Sequence, residues 1–212
     1  MNTMTNLIKL HYSSIIALKK AAAVVWALAI VFSISNIDGA MLPLGAGLII
    51  MILNYNTLAY EDNSKSQFLI YSLPVKPEQY ILSKFIFGGM NLIIALIFGN
   101  AMYLILNIIS STSISMATLN IMIVIMGIFV IDILIPIAII VGFTKARIIL
   151  IFLAVLPLSI SSAIAPILPK LLPLNFNISL VMVEAAVIIC AIIFSILSYF
   201  VTANLYKKKD IV

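Results

Sequence analysis

Asp132 is the side chain most able to do chemistry in this sequence, because it stands deep in the apolar run from Ala117 to Phe143 and Pro136 follows it. An ionised carboxyl at mid-membrane costs on the order of 2.5–3.5 kcal/mol on insertion scales, so such residues face a cavity, a path or a partner. Proline has no N–H, and in a helix Pro136 removes the bond that would have reached the carbonyl of Asp132. Kink and charge coincide, which predicts a hinge facing a cavity or translocation path; the alternative is a protonated carboxyl bonded to a neighbouring Asn or Ser. Glu184 lies near the start of the last apolar run, Asn100, Tyr103 and Asn107 share one helical face, and Asn54 and Asn56 occupy another run. Polar side chains inside a bundle serve as interhelical bonds as readily as substrate contacts. The candidate hinge and pathway residues are therefore Asp132, Pro136, Asn100, Asn107 and Glu184.

Other chemistry is excluded by what the chain lacks. One His and one Cys cannot build a His/Cys metal site of three or four ligands, and no G-x-x-x-x-G-K-[ST] phosphate loop occurs. The 7 acidic residues are spread thinly, which argues against an intramembrane hydrolase. Catalytic, metal-binding and cofactor-binding residues are thus not expected in this chain, and if ATP drives it, another chain binds the nucleotide. Cys190 can form no disulfide within the chain and is expected to be a small buried hydrophobe.

The elements that must position these groups follow from hydropathy. At 64% hydrophobic and 9% charged residues, with a mean hydropathy of +1.27, a water-soluble core is excluded in favour of a single polytopic all-α membrane domain over residues 1–212. Six spans are predicted, at about 21–37, 40–59, 85–109, 117–143, 148–165 and 178–205, the first being the shortest. Residues 1–20 form an amphipathic interfacial helix with Leu7, Ile8, His11 and Ile15 on its apolar face, His11 simply packing its ring. A cleaved secretory signal is not expected, since the segment before the first run is long for one and five further runs follow. Pro166, Pro169 and Pro173 interrupt a run that stays apolar, so 166–177 is predicted to re-enter the outer leaflet.

Orientation comes from charge. All but one of the 12 Lys and Arg residues fall on one side of this six-span arrangement, Lys170 being the exception. Short cytoplasmic loops keep Lys and Arg, so both termini are placed in the cytoplasm of a cell-membrane protein. The basic residues punctuate apolar runs and form no patch with aromatics, so nucleic acid is not an expected partner and membrane lipid is.

The polar stretch 60–84 is the main cytoplasmic loop. Ser64 and Gln67 fit a capping box opening a short helix through Phe68, Leu69, Ile70 and Tyr71, which Pro74 stops. Pro77 and Glu78 suit the first turn of the next helix. A short helix with Phe68, Ile70 and Tyr71 exposed is a docking knob.

The run from Tyr71 through Leu73-Pro74-Val75 to Ser83-Lys84-Phe85 resembles the loop that follows the second span in ABC type 2 permeases. Size and loop are most similar to the group that exports phenol-soluble modulin peptide toxins and confers resistance to membrane-active peptides. The resemblance implies an exporter of amphipathic peptides or lipophilic compounds, assembled as a homodimer or with a related permease, and energised by two copies of a separate ATPase subunit that binds ATP and Mg. It also implies that Ser64, Gln67, Phe68, Leu69, Ile70 and Tyr71, with Leu73 and Pro74 fixing the exit, couple to that subunit. Two other classes are weighed against it. The membrane component of a vitamin importer has no reason for a capped helix after the second span, and a non-transporting immunity or scaffold protein needs no ATPase.

Overall fold

Backbone surrounded by hydrocarbon must satisfy its own hydrogen bonds, which leaves helices as the way to cross with an open chain. The computed structural model describes residues 3–17, 19–35, 39, 41–61, 76–109, 112, 114–143, 146 and 180–208, and among them there is no strand. The helices are α1 (Thr3–Ala17), α2 (Lys19–Ile34), α3 (Leu42–Glu61), α4 (Pro77–Ile109), α5 (Met116–Ile128), a π-helical segment (Phe129–Leu134), α6 (Ile135–Val141) and α7 (Leu180–Lys207). The predicted coupling residues Ser64, Gln67, Phe68, Leu69, Ile70, Tyr71, Leu73 and Pro74 lie outside the described residues, as do the span at 148–165 and the re-entrant segment at 166–177.

Four stretches are long and apolar enough to cross a membrane, namely 42–61, 77–109, 116–141 and 182–207, while α2 is apolar over only Ala22–Ile34. At 1.5 Å per residue α4 is about 50 Å long, so it overshoots a hydrocarbon core of about 30 Å and carries its first turns beyond it. Its start obeys the predicted signals: Pro77 opens it, Glu78 occupies the first turn, and the carbonyl of Lys76 accepts from the backbone of Gln79 and Tyr80. Ser115 caps α5 by accepting from the Thr118 amide at 3.1 Å. Gly142 ends α6 with φ of 93°, a conformation that glycine adopts without steric cost.

Small residues let the helices close on one another. A Cβ on Gly45 of α3 would stand 2.7 Å from the carbonyl oxygen of Ala29 on α2, so that position requires glycine. Ala46, Ile49 and Ile50 of α3 then pack with Ala95 of α4 and Ile123 of α5 in the buried core. Asn91 donates to Asn54 Oδ1 across the α3–α4 seam at 3.4 Å, and Asn54 donates to its own helix at the Ile50 carbonyl, the interhelical use expected of Asn54.

Two expectations are corrected. The stripe of α1 predicted to lie in the interface is partly turned inward, with Leu7, His11 and Ser14 buried while Ile16 is 70% exposed. Its inward face is filled by aromatic contact: the His11 and Tyr12 rings stand 5.4 and 5.1 Å from that of Phe87 on α4. Cys190, expected to be buried, is exposed, because α7 packs on the bundle through residues such as Ala191, Thr202 and Ala203 and turns its other sides outward.

Candidate functional site

A polar residue on an apolar helical face must find a partner or pay for desolvation, and His11 finds a cluster of them. Glu61, the last residue of α3, accepts from Lys84 Nζ at 2.5 Å on Oε1 and from the Tyr80 hydroxyl at 2.7 Å on Oε2. His11 Nδ1 stands 3.1 Å from Oε1, and Nε2 is 3.0 Å from Ser83 Oγ. The Lys84 ammonium also lies over the Tyr80 ring. Lys84 and His11 are each 1% exposed, so this is a charge pair sealed inside protein where α1, α3 and α4 meet. Beyond it, at the surface, Glu78 of α4 pairs with Lys207 of α7, a contact worth little in itself because both side chains are about half exposed.

A proton on His11 would place a second cation beside Lys84. Burial first, and the Lys84 ammonium second, hold the imidazole pKa below its usual 6.5 against the opposing pull of Glu61. The neutral ring is therefore the form that docks α1. Because the folded value is lowered, the stability gained this way is whole above 6.5 and is lost as pH falls through the lowered value. Going from about pH 8 to about pH 5 should therefore lower the protection factors of the α1 amides, taken against the intrinsic exchange rate at each pH, and His11→Gln should flatten that dependence. Equal protection factors at both pH values in the wild type would dismiss His11 as a titrating contact.

The second constellation lies deeper. Pro136 enters the first turn of α6, and the carbonyl of Asp132 accepts from Ser198 Oγ of α7 at 2.8 Å. The chain resolves the missing bond as a wide turn, with the Ile135 amide reaching back to Val130 in π fashion. Asp132 is 5% exposed, and its Oδ2 accepts from Ser195 Oγ at 2.9 Å. Two serines one helical turn apart on α7 thus serve the side chain and the backbone of one residue.

On the other side of Ser195 is a groove of about 690 Å³ between α4, α5 and α7. Its walls are largely apolar, and its polar lining is Asn100, Asn120, Glu184 and Ser195, with the Tyr199 ring at the opposite end. Asn120 donates to Glu184 Oε1 at 2.8 Å. Of the residues singled out in the sequence, Asn100 and Glu184 line the groove, Asp132 lies behind it through Ser195, and Pro136 is buried beyond. Asn107 does not join them: a separation of seven residues keeps it on the Asn100 face but carries it about 10 Å along the axis, past the groove. There it is exposed and accepts weakly from Thr112 at 3.4 Å.

His11, Glu61, Tyr80, Ser83 and Lys84 were not singled out as a site, nor were Asn120, Ser195 and Ser198. One signal was available: Tyr80, Ser83, Lys84 and Phe87 recur at helical spacing on the face that follows Pro77.

Several apolar helices long enough to cross a membrane, packed around a groove with sparse polar groups, define a multi-pass membrane protein. Residues 6–207 match the family described as ABC-2 family transporter protein, and the chain belongs to that family. Such a permease is not catalytic by itself and works with a separate ATPase subunit. No curated protein and no solved structure matches the chain.

Proposed function

We propose that the chain is the transmembrane subunit of an ATP-driven exporter that carries amphipathic peptides or lipophilic compounds out of the cell, as in the phenol-soluble modulin exporter group its loop resembles. The subunit has six spans with both ends in the cytoplasm of the cell membrane. It pairs with a second copy and receives two ATPase subunits at a coupling helix formed by residues 64–72. One observation carries this reading. The stems of the loop between α3 and α4 are tied to each other through Glu61, Tyr80 and Lys84, and to α1 through His11. A push on that loop is therefore delivered to two spans and α1 as a unit rather than absorbed by one.

The test is the loop itself. In a complex reconstituted with the partner ATPase, replacing Phe68 and Tyr71 by Asp should abolish substrate-stimulated ATP hydrolysis while insertion into the membrane is unchanged. Coupling that survives both substitutions removes the docking assignment, and failure of any ATP-binding chain to co-purify in mild detergent removes the exporter.

A further inference from the structure

We infer that the groove between α4, α5 and α7 takes an amphiphile with a primary ammonium head, its head at the Asn100–Asn120–Glu184 end and its hydrocarbon laid along the apolar wall toward Tyr199. This names a substrate class for the exporter proposed above, and rests on that reading for the claim that the occupant is cargo. The binding site itself rests on hydrogen-bond inventory. Asn120 spends its amide N–H on Glu184, which fixes its Oδ1 as an acceptor, and that oxygen is buried without a partner. The Oδ1 of Asn100 is likewise buried and unpartnered. The hydroxyl of Ser195 is donated to Asp132, so it offers the groove no proton. Among the described lining residues there is no Lys or Arg, and Glu184 is the one carboxylate. Among the described residues the polar end therefore combines one carboxylate with two unfilled carbonyls and no cation.

A carboxylate is satisfied by a cation, and unfilled acceptors in an apolar wall are satisfied by N–H donors. An ammonium supplies both, with three N–H groups on one charge. A trimethylammonium brings the charge without the donors. An alcohol brings one donor without the charge, and a sulfate meets Glu184 as a like charge. The volume falls in the range of small-molecule sites, and the wall formed by Leu92, Leu96, Ile188 and Ile192 provides for an alkyl chain rather than a second polar group.

The test uses the full-length protein in phosphatidylcholine nanodiscs with nitroxide-labelled amphiphiles that share one alkyl chain and differ in the head. The motionally restricted fraction is read by electron paramagnetic resonance after subtraction of empty discs. The restricted fraction should fall in the order primary ammonium, trimethylammonium, alcohol, sulfate. The ammonium should exceed the alcohol by at least about tenfold, the size of one charge-assisted hydrogen bond. Glu184→Gln should bring ammonium and alcohol together, and Glu184→Asp should keep them apart. Equal retention of all four heads in the wild type, or an unchanged order in Glu184→Gln, overturns the inference, and the wild-type order decides by itself if Glu184→Gln does not assemble. If the head-group order holds while no amphiphile stimulates ATP hydrolysis by the reconstituted complex, the site stands and the exporter falls. Stimulation without any head-group order has the opposite meaning.

Discussion

Lys84→Met is expected to destabilise the protein by about 3–5 kcal/mol near pH 8, the cost of leaving a buried carboxylate without its cation. Lys84 is fully enclosed, and its ammonium is the cation 2.5 Å from Glu61. After the substitution Glu61 keeps the Tyr80 hydroxyl and the neighbouring His11 ring, neither of which is a full charge at that pH. The defect should shrink at lower pH. Lys84 is one of the causes that lowers the His11 pKa, so removing it lets the imidazole charge more readily and stand in as the counter-cation. The pH dependence of stability in Lys84→Met therefore runs opposite to that of α1 docking in the wild type. Adding Glu61→Gln should recover much of the loss, since a pair removed together leaves no orphan charge. Denaturant titrations of the three proteins in detergent at two pH values check this. A Lys84→Met protein as stable as the wild type at both would mean that the cluster is solvated and not a buried tie.

The sequence reveals the helices better than the contacts between them, for a physical reason. Apolar runs and Pro77 with Glu78 are local signals, and local signals decide where helices start and stop. The coincidence of Asp132 and Pro136 was legible because its geometry is that of one helical turn. Its resolution was not, because Ser195 and Ser198 arrive from 63 and 66 residues away. The cluster around Glu61 was hidden twice over. Lys84 reads as one more cytoplasmic charge until α3 and α4 are packed together, because its partner Glu61 lies 23 residues away on another helix. His11 reads as an interface residue until α1 is packed against Phe87. Glu184 and Asn120 met the same barrier, 64 residues apart with no local pattern to join them.

The double replacement Ser195→Ala with Ser198→Ala should cost on the order of 2–4 kcal/mol, one unmade bond to a carboxyl and one to a backbone carbonyl, each worth about 1–2 kcal/mol inside a membrane protein. The two halves have different remedies. The Ser198 bond matters because Pro136 supplies no N–H to the Asp132 carbonyl, so Pro136→Ala should make Ser198→Ala nearly neutral by restoring a backbone donor. It should leave the cost of Ser195→Ala unchanged, since that hydroxyl serves the side chain. The Ser195 cost should instead vanish in Asp132→Leu, where there is no carboxyl to satisfy. Two double-mutant cycles measured by denaturant titration separate these couplings. The wide turn at 129–134 is then a paired arrangement, a proline on one helix answered by a serine on another. If the cost of Ser198→Ala is the same with and without Pro136, the serine does not replace the proline's missing donor, and the turn must be held by packing alone.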